Sequence, residues 1–379
     1  MDNILLSAAL AFLITFFAIP IIIQVAKDKK LFDEPDERKV HKTVIPTLGG
    51  IGIFAGFIIA TLMGVPSGIA SELQYFVAAA TVIFFLGLKD DILILSASKK
   101  FIGQLIAAGI IIKFGGVQIN NMHGFLGIYE IPHIASIVLT IFTIIVITNS
   151  FNLIDGVDGL AGSLGVLTTL VFGTYFFFAG QLAYAVMAFA MTGSIIAFLI
   201  YNFSPAKIFM GDTGSLLLGL INSILVIKFI NVAGNPATAF GLEASPAIGF
   251  AILMIPLFDT LRVFALRILD RRSPFSPDRT HVHHFLLDLG LNHRMVTFTC
   301  VATNIVFIAM AYFLRALGTT TLLSILLVSA FIFIGVIYYS RPKNKAVTKS
   351  NRNNNSIPNT SIMKSRKILS LAPESVEAE

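Results

Sequence analysis

Long apolar runs, separated by short polar or Gly- and Pro-containing segments, occupy most of this sequence. A helix that crosses a bilayer needs about 20 mostly apolar residues. The pattern therefore predicts an all-α polytopic membrane protein with eleven transmembrane helices, of which the fourth is short. Their approximate ranges are 4–26, 46–63, 73–88, 101–113, 131–148, 161–178, 183–201, 213–230, 247–265, 296–315 and 320–339.

Two segments depart from this pattern of helices and loops. Residues 116–131 alternate apolar and polar side chains around Asn-Asn and Gly, which predicts a small external β-hairpin. From Arg341 the chain is basic and then rich in Asn and Ser, without apolar periodicity, which predicts a disordered cytoplasmic tail near anionic lipid. We therefore expect a membrane domain over residues 1–340 and a tail over residues 341–379.

Composition supports the membrane assignment and excludes other classes. Of the 379 residues, 56% are hydrophobic and 13% are charged, whereas soluble domains have roughly 45–50% and about 25%. This excludes a soluble globular fold, a disordered chain and a coiled coil. The single cysteine, Cys300, excludes a secreted scaffold held by internal disulfides.

The basic residues predict the topology. Alternate segments between the apolar runs, at 64–72, 114–130, 179–182, 231–246 and 316–319, contain no Lys or Arg, and the other loops hold most of the 27. Basic loops remain on the cytoplasmic side, so we expect the N-terminus outside and the C-terminus inside. The net charge of +6 is then explained by basic loops on the cytoplasmic side of the membrane, and no nucleic-acid partner is expected.

The first candidate chemical group lies at the end of the third run. Asp90 and Asp91 are adjacent, and holding both ionised implies a nearby cation or a phosphate-binding environment. The alternative is a solvated helix end. Lys99 and Lys100 follow in the same loop and could contact a phosphate or extend to the membrane interface.

A second group follows the fifth run. Asn152, Asp155 and Asp158 are interleaved with glycines at membrane depth, where polar backbone is tolerated only beside a wet cavity or inside protein. The spacing suggests a calcium loop, but the full twelve-residue ligand pattern is missing. A polar turn between two helices is the alternative.

Two further aspartates belong to the eighth and ninth runs. Asp212 precedes the eighth run, where it could be an ordinary N-cap or a Mg²⁺ ligand that shares the ion with substrate phosphates. Asp259 lies within the ninth run, three residues before Arg262. A charged group inside a span indicates function, but this spacing also allows a structural ion pair.

A basic loop completes the set. Arg279, His281, His283 and His284 could bind zinc or a polyanion. Zinc would need a further set of close Cys or His ligands, which is not apparent, so a diphosphate fits better. A solvent-exposed basic loop is the alternative.

Taken in order, these motifs resemble the polyprenyl-phosphate N-acetylhexosamine-1-phosphate transferases, over most of residues 27–294. The run from Ser273 to Arg279 and the eleven apolar runs are similar to the branch that uses UDP-N-acetylglucosamine and undecaprenyl phosphate. The branch that transfers phospho-N-acetylmuramoyl-pentapeptide for peptidoglycan usually has ten spans and three consecutive histidines. Here Val282 interrupts the histidines, which argues against that alternative.

The resemblance implies a reaction and a cofactor. A phosphate oxygen of undecaprenyl phosphate would attack the β-phosphorus of a UDP-N-acetylhexosamine, releasing UMP and starting a lipid-linked cell-surface glycan, such as a cell-wall polymer or lipopolysaccharide. The cofactor would be Mg²⁺, with Mn²⁺ as an alternative. The residues implied are Asp90, Asp91 and Asp155 for catalysis, Asp212 and Asn152 for the metal, and Asn152, Asp158, Lys99, Arg279, His281, His283 and His284 for substrate.

The resemblance also implies a multi-pass protein of the bacterial inner membrane with its active site on the cytoplasmic face. The choice of hexosamine, the final polymer, a covalent phospho-enzyme and a homodimer are left open. A transporter that uses Asp259 as part of an ion path is the competing class. Transporters usually place polar residues at the midplane and often have repeated halves, which this sequence lacks.

Overall fold

The computed structural model describes residues 1–29, 32–33, 45–66, 68, 71–235, 238, 240–273 and 280–341. The predicted tail beyond Arg341 and the predicted substrate residue Arg279 lie outside these residues. Over the described residues, the chain from Met1 to Arg341 forms one unit.

α-Helices make up most of this unit. They are α1 (Asp2–Asp28), α2 (Gly49–Gly64), α3 (Leu73–Ile92), α4 (Ala97–Lys113), α5 (His133–Ile154), α6 (Leu160–Phe178), α7 (Leu182–Asn202), α8 (Gly211–Ala233), α9 (Ser245–Ile252), α10 (Met254–Leu269), α11 (Val282–Asp288), α12 (His293–Phe313) and α13 (Thr319–Ser340). A short 3₁₀ helix, Arg315–Leu317, precedes α13. Each predicted apolar run coincides with one helix, except that the ninth is divided into α9 and α10.

The helices confirm a polytopic membrane protein. Within the described ranges, seven helices are long and apolar enough to cross a bilayer, or eight if α9 and α10 form one broken span. The seven are α1, α5, α6, α7, α8, α12 and α13. α2 is apolar but has only 16 residues. The count of eleven spans and their orientation stay predictions.

The break between α9 and α10 bends the chain by 89°. A break inside a membrane protein leaves backbone groups that need new partners. Asn304 of α12, which is fully buried, supplies two of them. Its Oδ1 accepts a hydrogen bond from the Ile255 amide and its Nδ2 donates to the Ile252 carbonyl, both at 2.9 Å.

α8 lies at the centre of the bundle and packs against α2, α3, α5, α6, α7 and α9. Small residues let the backbones approach closely. A Cβ on Gly87 of α3 would lie 2.5 Å from the Thr213 Cα of α8. This close approach brings the end of α3 against the beginning of α8.

The four strands form two small antiparallel pairs. They are β1 (Phe32–Asp33), β2 (Ile45–Pro46), β3 (Asn121–Phe125) and β4 (Ile128–Glu130), with β1 pairing β2 and β3 pairing β4. The second pair confirms the predicted hairpin. It contacts the beginning of α13, where the Thr319 hydroxyl donates to the His123 carbonyl at 2.6 Å.

Candidate functional site

The site is built around the N-terminus of α8, which is capped by a carboxylate from α3. Asp91 Oδ1 accepts from the Asp212 amide at 2.7 Å, and Oδ2 accepts from the Thr213 amide at 3.0 Å and the Thr213 hydroxyl at 2.5 Å. These amides belong to the first turn, which has no partners within the helix. Gly211 has a φ of +68°, and a Cβ there would lie 2.6 Å from Asp91 Oδ2. Asp91 caps this helix, so the alternative of Asp212 as an ordinary N-cap is wrong.

Lys100 of α4 joins two carboxylates from different helices. Its Nζ lies 2.6 Å from Asp90 Oδ2 and 2.6 Å from Asp212 Oδ2. Asp90 Oδ1 also accepts from the Leu95 amide at 2.7 Å. Burial alone would lower the pKa of Lys100, but the Asp212 and Asp90 carboxylates raise it above its ordinary value. Lys100 is therefore an ammonium ion at neutral pH.

Asn152, in the last turn of α5, completes the environment of Asp212. Its Nδ2 lies 2.9 Å from Asp212 Oδ1 and 3.0 Å from Ser215 Oγ. Both carboxylate oxygens of Asp212 are thereby engaged, one by Lys100 and one by Asn152. The structure thus brings together Asn152 and Asp212, the two residues predicted to hold the metal.

Asp155 follows directly after α5 and has a different environment. Among the described residues it has no hydrogen-bond or ion-pair partner. Loss of hydration raises the pKa of Asp155 well above its ordinary value, and the charges of Asp212, Asp91 and Asp158 raise it further. An unpaired carboxyl group beside Asp212 is available to bind a cation or a substrate phosphate.

Asp158 is used in contacts between loops. Its Oδ2 accepts from the Ala206 amide at 3.1 Å, and its Oδ1 lies 3.3 Å from His293 Nδ1. Its carbonyl accepts from the Thr297 hydroxyl at 3.2 Å. These bonds hold the α5–α6 loop against the α7–α8 loop and α12. Its predicted role in substrate binding stays a prediction.

The histidines lie at the beginning of α11 and face the α5–α6 loop. His281 Nδ1 is 2.8 Å from Asp259 Oδ2, and the His283 and His284 rings are 4.3 Å apart. A Cβ on Gly156 would lie 2.9 Å from His283 Nε2, so His283 packs on the turn next to Asp155. Burial, with the nearby His284, lowers the pKa of His283 to about 3, and this imidazole is neutral at physiological pH.

Lys99 and Lys100 have different environments, and the predicted role of Lys99 in substrate binding stays a prediction. Lys99 is exposed and has no partner in the described part of the chain, whereas Lys100 lies between Asp90 and Asp212. The sequence motif implied a substrate role for Lys99 and not for Lys100. Thr213, Ser215 and His293 were missed because polar side chains of this kind give no signal without their partners.

The donor groups of the site suit Mg²⁺ bound together with a substrate phosphate. Among the described residues, no three His, Cys, Asp or Glu side chains converge as a complete metal-binding group. Mg²⁺, however, needs only one or two protein carboxylates when substrate phosphates and water supply the other oxygens. Asp212, with Asn152 and the unpaired Asp155 beside it, provides such a set.

An apolar groove of about 220 Å³ lies between α5, α8, α9, α10, α13 and the hairpin. Leu139, Phe142, Phe250, Leu257 and Leu323 are among its lining residues. α10, which lines one side, also carries Asp259. The groove can take an apolar chain at membrane depth.

Comparison with known proteins agrees with these motifs. Residues 73–230 match glycosyl transferase family 4. A probable undecaprenyl-phosphate N-acetylglucosaminyl 1-phosphate transferase of Bacillus subtilis is 33% identical over 328 residues, covering 83% of this chain and 87% of the relative. A decaprenyl-phosphate N-acetylglucosaminephosphotransferase of Mycobacterium leprae is 33% identical over 311 residues, covering 76% and 77%.

A third relative is an undecaprenyl-phosphate alpha-N-acetylglucosaminyl 1-phosphate transferase of Escherichia coli. It is 29% identical over 276 residues, covering 72% of this chain and 73% of the relative. The resemblance deduced from the motifs is confirmed, and this chain belongs to glycosyl transferase family 4 as a membrane glycosyl-1-phosphate transferase.

Proposed function

We propose that this protein transfers N-acetylglucosamine-1-phosphate from UDP-N-acetylglucosamine to undecaprenyl phosphate and releases UMP. The observation that carries the proposal is the convergence of Asp90, Lys100, Asn152, Asp155 and Asp212 at the N-terminus of α8. The relatives named as N-acetylglucosamine-1-phosphate transferases support the same donor and acceptor.

The charges of the site suit a reaction between two anions only if a further cation is present. Four carboxyl groups from α3, the α5–α6 loop and α8 interact with one another at the site, namely Asp90, Asp91, Asp155 and Asp212, and the ammonium of Lys100 pairs with only two of them, Asp90 and Asp212. We propose that Asp212 and Asn152 hold Mg²⁺, with Mn²⁺ as a substitute. The ion would neutralise the diphosphate and fix its orientation.

The remaining groups would position the reactants. The second pKa of a phosphate monoester is about 6, so the lipid phosphate is mostly dianionic at neutral pH and needs no strong base. Lys100 would bind phosphate oxygens, and Asp155 would face the reacting phosphates. Asp91 would act by fixing the first turn of α8, and Asp90 by fixing Lys100. Positioning and charge neutralisation then supply most of the rate enhancement.

The apolar groove supports a polyprenyl acceptor. Its lining from α5, α9, α10 and α13 is almost wholly apolar, so a prenyl chain could pass from the bilayer hydrocarbon into it without burying unpaired polar groups. The groove contacts α8 at Val226 and Ile230 and lies beside the hairpin, so a chain with its phosphate at the N-terminus of α8 would have to extend along α8 for roughly 20 Å to reach it.

The finer topology is part of the proposal. A helix or a helix pair covers each of the eleven apolar runs, and the basic residues lie in alternate loops. These observations support eleven spans, an external N-terminus and a site on the cytoplasmic face of the bacterial inner membrane.

A direct test uses purified protein with UDP-N-acetylglucosamine, undecaprenyl phosphate and Mg²⁺. The wild type should release UMP, and Asp212→Ala should reduce the rate to background. Asp270→Asn is a matched control, because Asp270 is exposed and pairs only with Arg272 in the described structure. Absence of UMP, or equal rates for wild type and Asp212→Ala, would contradict the proposal.

A further inference from the structure

Asp259 of α10 is a buried carboxylate with three partners. Its Oδ2 lies 2.8 Å from His281 Nδ1, and its Oδ1 accepts from the Arg262 guanidinium at 2.7 Å and the Val282 amide at 3.1 Å. Its side chain is 3% exposed. An ionised group at this depth is costly, and a simple structural pair with Arg262 would not require the bonds to residues 281 and 282.

Arg262 strengthens the same connection. Its guanidinium also donates to the Thr280 carbonyl at 2.5 Å and lies 5.5 Å from the centre of the Phe285 ring. Asp259 and Arg262 together therefore fix the backbone immediately before α11 and its first turn. These contacts from α10 therefore fix the position of the histidines at the beginning of α11.

The bond to His281 determines which ring nitrogen is available. When a carboxylate holds one imidazole nitrogen, it fixes the ring orientation and leaves the other nitrogen for a ligand. The hydrogen bond of His281 seen among the described residues uses Nδ1, which leaves Nε2 for a ligand. The His281 ring is parallel to that of His283, at 5.7 Å and 5°, and His283 packs on the Asp155–Gly156 turn.

We propose that Asp259 is a positioning residue that holds His281 through Nδ1, so that Nε2 meets the phosphates of the nucleotide sugar. The identity of the ligand rests on the proposed function. Asp259 itself touches no substrate and acts through His281.

The test is a double-mutant cycle on UMP release. Asp259→Asn keeps the shape but loses the charge that orients His281. It should lower kcat/KM for UDP-N-acetylglucosamine by about 10- to 100-fold, the loss typical when a carboxylate that orients a ligating histidine is removed, with KM for undecaprenyl phosphate changed less than about twofold. In the His281→Ala background, adding Asp259→Asn should cause a much smaller loss than in the wild type, because only its bonds to Arg262 and the Val282 amide remain to be weakened. Asp270→Asn should match the wild type.

Additive losses in the cycle would overturn the proposal, because they would show that Asp259 acts independently of His281. ¹⁵N NMR of histidine-labelled wild type gives a result that requires neither turnover nor a folded variant. His281 Nδ1 should carry the proton that it donates to Asp259, and with UDP-N-acetylglucosamine bound Nε2 should also carry a proton, which it donates to a phosphate oxygen. A ring without a proton on Nδ1, or without one on Nε2 when the nucleotide sugar is bound, would also overturn the proposal. Failure of the wild type to release UMP would instead refute the proposed function.

Discussion

Replacing Asp91 by Ala tests whether this carboxylate is the cap of α8. The substitution removes the acceptor of the Asp212 and Thr213 amides and of the Thr213 hydroxyl. Each buried donor left unpaired costs about 1–3 kcal/mol, and loss of a cap costs about 0.5–2 kcal/mol. The hydroxyl can rotate, and water can reach the partly exposed Asp212. We therefore expect a loss of about 2–4 kcal/mol in the free energy of unfolding.

Asp90→Ala is the matched control for this experiment. Asp90 is adjacent on α3 but makes one bond to the Leu95 amide and one ion pair with Lys100. Part of its loss would be offset by removing repulsion with Asp212, so we expect about 1 kcal/mol.

The assay can use the single cysteine. Cys300 is buried, so a fluorophore that reacts with its thiol when the protein unfolds reports unfolding in detergent, and no cysteine needs to be introduced. The melting temperature should fall clearly for Asp91→Ala and only slightly for Asp90→Ala. Equal melting temperatures for the two variants would refute the assignment of Asp91 as the cap.

Three further predictions concern other parts of the molecule. Lys100→Gln should lower the rate of UMP release at least 100-fold, because it removes the ammonium between two carboxylates. Lys99→Gln should change that rate less than about twofold. Similar rates for the two variants would contradict the placement of Lys100. Gly156→Ala should reduce kcat/KM for UDP-N-acetylglucosamine by about 10-fold, because the Cβ of the alanine would lie 2.9 Å from His283 Nε2. Unchanged kcat/KM would contradict the close packing of His283 on this turn. Asn304→Leu should destabilise the protein by about 2–4 kcal/mol, because it removes the partners of two buried backbone groups at the helix break, and thermal unfolding with the Cys300 probe should detect this.

The helices and the hairpin could be predicted from the sequence because they depend on local periodicity. The third and fifth apolar runs end at the aspartate motifs, so the same pattern predicts that these motifs lie at helix ends. The helical periodicity of α4 also indicates that Lys100 faces the protein interior. Its buried positions are Gln104, Ala107, Ala108, Ile111 and Ile112. Lys100 precedes Gln104 by one turn on the same face.

The partners of the aspartates could not be predicted in this way. The bond from Asp91 to Thr213 spans 122 residues and that from His281 to Asp259 spans 22. These pairs depend on how helices pack, which a single sequence does not specify. The same holds for the α9–α10 break, which is stabilised by Asn304 from another helix.

The most direct test of the central claim follows the β-phosphate of the donor. UDP-N-acetylglucosamine labelled with ³²P at the β-phosphorus should transfer both sugar and label to undecaprenyl phosphate, with unlabelled UMP released in equal amount. Lys100→Gln and Asp212→Ala should reduce both products in parallel. Label found in UDP, with sugar alone on the lipid, would contradict the account.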